Sequence, residues 1–173
     1  MAGVRTLDFY EAITYSLTTT GLRATEPLRR GQFIDTYPGE VISREEANRR
    51  AGAGPKGKDS YLFPLDKFAQ PPISEHLYEI DGEFFGGPSR FINHSCDPNC
   101  VVYVVKMDQN PWLYQIAFFA YQDIVAGQEL TFNYRDGEDD AQADEREGTD
   151  DNVEENSIPC LCGAYNCRKW LWK

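Results

Sequence analysis

Positive charge is in short supply in this chain of 173 residues: 17 lysines and arginines face 28 aspartates and glutamates, a formal net charge of −11. That balance excludes a basic nucleic-acid surface, so no direct contact with nucleic acid is expected. Long apolar runs are missing as well. No stretch approaches the ~20 residues of a membrane-spanning helix, and no membrane partner is expected. Residues 1–10 carry Arg5 and Asp8 and lack the apolar block of a secretory signal. Cysteine is absent before Cys96, and the total of five is odd. Such a set suits metal or thiol chemistry in a reducing compartment better than a disulfide framework.

What is present can build a core. Hydrophobic residues make up 41% and aromatics 13%, too apolar for a disordered chain, and the length suits one main core. The acidity is local. Residues 136–156 hold eleven carboxylates against Arg146, which leaves 17 acids and 16 bases in the rest of the chain. This segment has no aromatic residue and only Val153 as a sizeable aliphatic, so burial cannot offset its ordering entropy. It reads as a flexible acidic insert between a body, residues 1–135, and a tail, residues 157–173. An insert of this charge would also help to hold a basic partner nearby.

The body predicts a mostly β fold with a few short helices. Gln32 to Tyr37 alternates as a strand, Pro38-Gly39 turns, and Glu40-Val41-Ile42 reads as a second strand. Ser43 with Glu46 makes a capping box, so a short polar helix is expected over residues 44–50. Residues 61–65, 78–81, 101–105, 113–120 and 130–134 are further strand candidates, with Ala126-Gly127 as a turn. The stretch Gly52-Ala53-Gly54-Pro55-Lys56-Gly57-Lys58 mimics a phosphate-binding loop. Asp59 follows it where a magnesium-binding hydroxyl is required, which argues against a nucleotide site.

Three thiols crowd the tail as Cys160-Leu161-Cys162 and Cys167, with Gly163 available for a tight turn between them. Seventeen residues hold almost no core of their own, so a structural zinc is the natural staple. Tetrahedral zinc needs a fourth ligand, and the body offers Cys96, Cys100, His94 and His76. Spacing does not choose among them. An all-cysteine site would leave no open position for water, which argues against a zinc hydrolase.

Three segments together carry a resemblance: Arg90-Phe91-Ile92-Asn93-His94-Ser95-Cys96-Asp97-Pro98-Asn99, then Glu129-Leu130-Thr131-Phe132-Asn133-Tyr134, then the cysteine tail. In that order they resemble a SET-domain protein lysine methyltransferase with a post-SET zinc motif. The wording around residues 31–50 and 61–68 is most similar to fungal suppressor-of-variegation-type enzymes, which act on lysine nine of histone H3. The resemblance implies a β-clip fold with knot-like C-terminal threading. It implies transfer of methyl groups from S-adenosylmethionine to a lysine in a basic histone tail, in the nucleus and on the chromosome. Asn93, His94, Arg90, Gly21 and Trp172 match cofactor-side positions. Tyr134 matches the tyrosine at the methyl-transfer site, and Tyr61 a second tyrosine of the lysine channel. Phe132 matches the position that sets how many methyl groups fit, which favours di- and trimethylation. Cys96 matches the body ligand that joins Cys160, Cys162 and Cys167 around zinc.

The sequence also departs from that family. Thr19 stands where a glycine-x-glycine turn would begin in Thr18-Thr19-Thr20-Gly21, and a β-branched residue disfavours positive φ, so an altered cofactor side is expected. No cysteine cluster precedes the body, and Asn133 replaces a common aspartate. These departures support a second reading, a remnant that binds a basic peptide without transferring methyl groups.

Overall fold

A computed structural model of the chain describes residues 9–16, 19–53, 61–65, 78–106, 114–135 and 157–172. The insert at 136–156 and most of the phosphate-loop mimic lie outside the described residues. The chain opens with an antiparallel pair, β1 (Tyr10–Ser16) and β2 (Thr19–Ala24). Sequence reading assigned no strands there. The expected damage to a positive-φ turn is overturned by the same observation. Thr19 opens an extended strand, and the described residues with positive φ are Gly31, Gly127, Gly163 and Lys169. A β-branched threonine is at home in such a strand.

Next come β3 (Phe33–Thr36), β4 (Glu40–Ser43) and helix α1 (Arg44–Ala53), followed by β5 (Leu62–Pro64) and β6 (Tyr78–Asp81). A 3-10 turn at Pro88–Phe91 leads into β7 (Asn93–His94), β8 (Cys100–Lys106), β9 (Tyr114–Ala120) and β10 (Glu129–Phe132). The tail contributes β11 (Ile158–Pro159) and β12 (Trp170–Trp172), an antiparallel pair. The other described strands form sheets in the orders β1-β2-β10-β7, β3-β9-β8 and β4-β6-β5.

The local chemistry explains these elements. Ser43 Oγ accepts the Glu46 N–H at 3.2 Å, the expected cap of α1, and the helix runs three residues past its predicted end. Glu45 and Glu46 sit in its first turn and Arg50 in its last, each complementing the helix dipole. Arg50 reaches Glu40 at 2.8 Å and the buried Asp81 at 2.7 Å, tying α1 to β4 and β6. In β9, Ile116, Ala117, Phe118 and Ala120 are all buried. Successive side chains point to opposite faces, so both faces of this central strand are covered. Gly39 is required by packing, since a Cβ there would stand 2.5 Å from Ile80 Cγ2 and 2.6 Å from the Asp81 carbonyl.

β10 carries the threading that the site depends on. It pairs antiparallel with β2 through Glu129 and Leu130, then parallel with β7, Thr131 opposite Asn93 and Phe132 opposite His94. Asn99, buried, holds it from a third direction. Its Nδ2 donates to the Glu129 carbonyl at 2.7 Å, and its Oδ1 accepts the Thr131 N–H at 2.9 Å. The segment after β7 thus binds the strand through Asn99, at the residues between its antiparallel and parallel pairings. β10 ends at Phe132, two residues before the predicted strand end, which frees Asn133 and Tyr134 to turn toward the site.

Candidate active site and metal centre

Asn93 stands where three strands meet. Its Nδ2 donates to the Thr20 carbonyl of β2 at 3.2 Å and to Glu129 Oε1 of β10 at 2.9 Å. Those bonds use both amide hydrogens and leave Oδ1 free to accept from a bound group. Gly21, buried, follows Thr20 in β2 and faces Ile13 of β1 in the register.

His94 is assigned its tautomer by its neighbours. Nδ1 accepts the Tyr134 N–H at 3.1 Å, so the proton of a neutral ring sits on Nε2, 3.3 Å from Cys96 Sγ. Burial, then the charges of Arg168 and Arg135, hold the imidazole down at about 4, so it is neutral at physiological pH.

Tyr134 packs edge-on to His94 at 5.3 Å, and its hydroxyl donates to the Ile92 carbonyl at 3.0 Å. Burial pushes its phenol well above the ordinary value, and nearby Tyr61 and Glu129 push the same way. The hydroxyl therefore keeps its proton, and its oxygen lone pairs remain available. Phe132 lies among Tyr134 at 4.8 Å, Phe118 at 5.0 Å and Phe63 at 5.8 Å, the last stacked. Tyr61 sits just before β5, where its carbonyl accepts both the Tyr37 hydroxyl at 2.9 Å and the Gly82 N–H at 3.0 Å.

Tyr37 was not singled out from the sequence. It is buried, packs on Phe63 at 5.0 Å, and its phenol is also raised, chiefly by burial. The only signal for it was its place at the end of a predicted strand. Glu129 and Asn99 lay inside quoted motifs without an assigned role, and their partners become visible only once β2, β7 and β10 are brought together.

Arg90 makes its contacts on another side. Its guanidinium donates to the Gly82 and Glu83 carbonyls and lies 4.6 Å over the Phe91 ring, clamping the loop after β6. Trp172 lies in β12, and its side chain falls outside the described residues.

The candidate metal site is compact. The Sγ atoms of Cys96, Cys160, Cys162 and Cys167 all lie within 4.8 Å of one another, and Cys96 and Cys160 are 3.8 Å apart. A tetrahedron with zinc–sulfur bonds of about 2.3 Å has edges of roughly 3.8 Å, so the donor set fits zinc. Gly163, with φ of 71°, supplies the turn between the thiols. Cys100 is elsewhere: it is buried, its thiol donates to Asn99 Oδ1, and burial pushes it up to about 12. Geometry thus leaves Cys96 as the fourth thiol of the group, the choice that spacing left open. His94 stands behind Cys96 rather than among the four. His76 lies outside the described residues.

Comparison with known proteins places this arrangement. The SET domain family matches residues 19–135. The chain belongs to the SET-domain family. The match runs from the start of β2 to just past Tyr134, so the three tail cysteines of this SET protein lie beyond it. The histone-lysine N-methyltransferase KMT1 of Fusarium mangiferae, H3 lysine-9 specific, is 42% identical over 160 residues, covering 88% of this chain and 45% of that protein. The H3 lysine-9 specific dim-5 of Neurospora crassa is 41% identical over 160 residues, 88% of this chain and 47% of that one. The chain spans about half the length of these curated relatives. A structure described as the structural basis for the product specificity of histone lysine methyltransferases aligns with a TM-score of 0.72. It is 38% identical and covers 94% of this chain and 56% of that one. The structure of the Neurospora SET domain protein DIM-5, a histone lysine methyltransferase, gives a TM-score of 0.67 at 40% identity over 72% of this chain and 51% of that one.

Proposed function

We propose that this SET domain transfers methyl groups from S-adenosylmethionine to a lysine of a histone tail, with lysine nine of histone H3 as the substrate and chromatin in the nucleus as the place of action. The observation that carries this reading is the convergence of Asn93, His94, Phe132 and Tyr134 on the crossing of β7 and β10, in a chain about 40% identical to lysine-9 enzymes over most of its length.

S-adenosylmethionine would supply the electrophilic methyl group when bound. Asn93 Oδ1 would accept from its polar end, with Gly21 and His94 as further cofactor-side residues and Trp172 from the tail. Arg90, matched to that side by resemblance, would act there only apart from its guanidinium, which holds the Gly82 and Glu83 carbonyls. A lysine amine, near 10.4 in water, must be neutral to attack. The ring walls of Tyr61, Phe132 and Tyr134 would exclude water from the ammonium and lower its pKa. Tyr134 stays protonated and donates to the Ile92 carbonyl, so it presents lone pairs to the amine and does not act as a base. The reaction is a single displacement, so alignment supplies much of the rate. Phe132 offers no hydroxyl to hold a water or the amine, which leaves room for di- and trimethyl products. In this reading Cys96, Cys160, Cys162 and Cys167 hold zinc and fasten the tail, residues 157–173, to the body, residues 1–135. The acidic insert between them suits a basic substrate.

Calorimetry with S-adenosylmethionine and a panel of histone tails with single lysines replaced tests the proposal. Binding heat that disappears in Asn93→Ala, with transfer confined to the tail that retains lysine nine, is the expected result. No heat at high cofactor concentration would leave the peptide-binding remnant in its place.

A further inference from the structure

Cys96, His94, Tyr134, Asn133 and Arg168 form a closed circuit. Cys96 Sγ faces His94 Nε2 at 3.3 Å and accepts the Arg168 backbone N–H at 3.4 Å. His94 Nδ1 takes the Tyr134 N–H at 3.1 Å, and Arg168 Nη2 donates to Asn133 Oδ1 at 2.8 Å. The two residues outside the cysteine group that touch the Cys96 sulfur, His94 and Arg168, therefore also hold the two-residue segment Asn133-Tyr134. We propose that Arg168 is a positioning residue that latches the cysteine tail to the end of β10, so that filling the four-cysteine site fixes where Tyr134 stands. The proposal rests on the methyltransferase reading only for the task given to Tyr134.

Three features favour a built latch over an incidental surface contact. Arg168 Nε is buried and has no hydrogen-bond partner, so the guanidinium is held in the interface. Among the described residues no carboxylate pairs with Arg168, and its side-chain contact is the Asn133 amide. A second tie runs beside it, Asn166 Nδ2 donating to the Cys96 carbonyl at 3.3 Å. N–H donors on a metal thiolate orient it and steady its bond to the metal, and outer partners of this kind are worth about tenfold or more in metal affinity. The neutral acceptor Asn133 makes a weaker bond to a guanidinium than a carboxylate would. The latch can therefore be tightened as well as cut.

The full chain, loaded with zinc, is mixed with a colorimetric zinc chelator, and the amide resonance of Tyr134 is followed by 1H–15N NMR before and after release. Arg168→Ala keeps the backbone N–H on Cys96 but frees the tail from Asn133, so it should release zinc severalfold faster and shift the Tyr134 resonance of the loaded protein toward its metal-free position. Arg168→Lys should fall between, and Asn133→Asp, which gains a charge-assisted bond, should release zinc more slowly than the parent. Release unchanged in Arg168→Ala, or faster release with the Tyr134 resonance unmoved, overturns the coupling. Asn133→Asp retains both partners and decides the matter even if Arg168→Ala does not fold: release as fast as the parent or faster overturns the latch. None of these readouts requires methyl transfer, so a failure here is separate from a failure of the proposed activity.

Discussion

Phe132, Tyr37 and Tyr134 show how much a single hydroxyl decides here. Phe132 fills its place with carbon alone, 4.8 Å from the Tyr134 ring. Adding a hydroxyl in Phe132→Tyr would give the amine or a water a partner, and products should shift toward monomethyl-lysine; mass spectrometry of the peptide checks this. Tyr37 and Tyr134 carry buried phenols whose pKa values lie above the ordinary 10.0. The sign follows from linkage. Above pH 10 the unfolded chain loses these protons while the folded chain keeps them, so the folded state binds more protons and stability falls as pH rises. Their stabilisation is complete below pH 10 and drains away above it. Urea midpoints should fall as the pH rises above 10, and the two phenols should ionise, by absorbance near 295 nm, only on unfolding. Tyr134 was legible in its motif. Tyr37 was not, because what marks it is a hydrogen bond to the carbonyl of Tyr61, far from it in sequence.

Among the elements, β10 has the most to lose. Its antiparallel half is held by β2 and its parallel half by β7, and Asn99 fills the break by serving the Glu129 carbonyl and the Thr131 N–H. Asn99→Ala would strand both backbone groups in a buried place, at about 1–3 kcal/mol each. The urea unfolding midpoint should drop accordingly, and Asn99→Asp, which retains the acceptor, should lose less. The capping serine of α1 and the strands at β3, β4, β6, β8 and β9 were readable because their signals are local: a cap, a turn, an alternation. β1 and β2 were not. Thr19 and Thr20 read as the loss of a glycine turn, whereas they pair with Ser16 and Thr14 across a hairpin. β7 has only two residues, and its strand character exists only because β10 lies beside it.

Across the whole molecule, the tail and the body are joined through the cysteine group, so metal removal should be felt at both ends. If the four-cysteine site holds zinc as proposed, a chelator should raise amide exchange throughout residues 157–172 and at Tyr134, while β9 retains its protection; hydrogen-exchange mass spectrometry reads all three. A tail with so little core would depend on such a crosslink for its order. The sequence by itself determined the mostly β character, the acidic segment, the SET motifs and three of the four thiols, because periodicity, charge and spacing are written along the chain. Spacing did not choose between Cys96 and Cys100, and the family resemblance pointed to Cys96; the tertiary structure supplies the physical reason, since one sulfur lies among the tail thiols and the other in the core. It also decided the tautomer of His94, the service of Tyr37 to Tyr61 and the grip of Arg168 on Asn133. Each of these joins residues far apart in the chain that the pairing of β10 with β7, the packing of the sheets' ends or the return of the tail brings together, and no one-dimensional pattern records such a meeting.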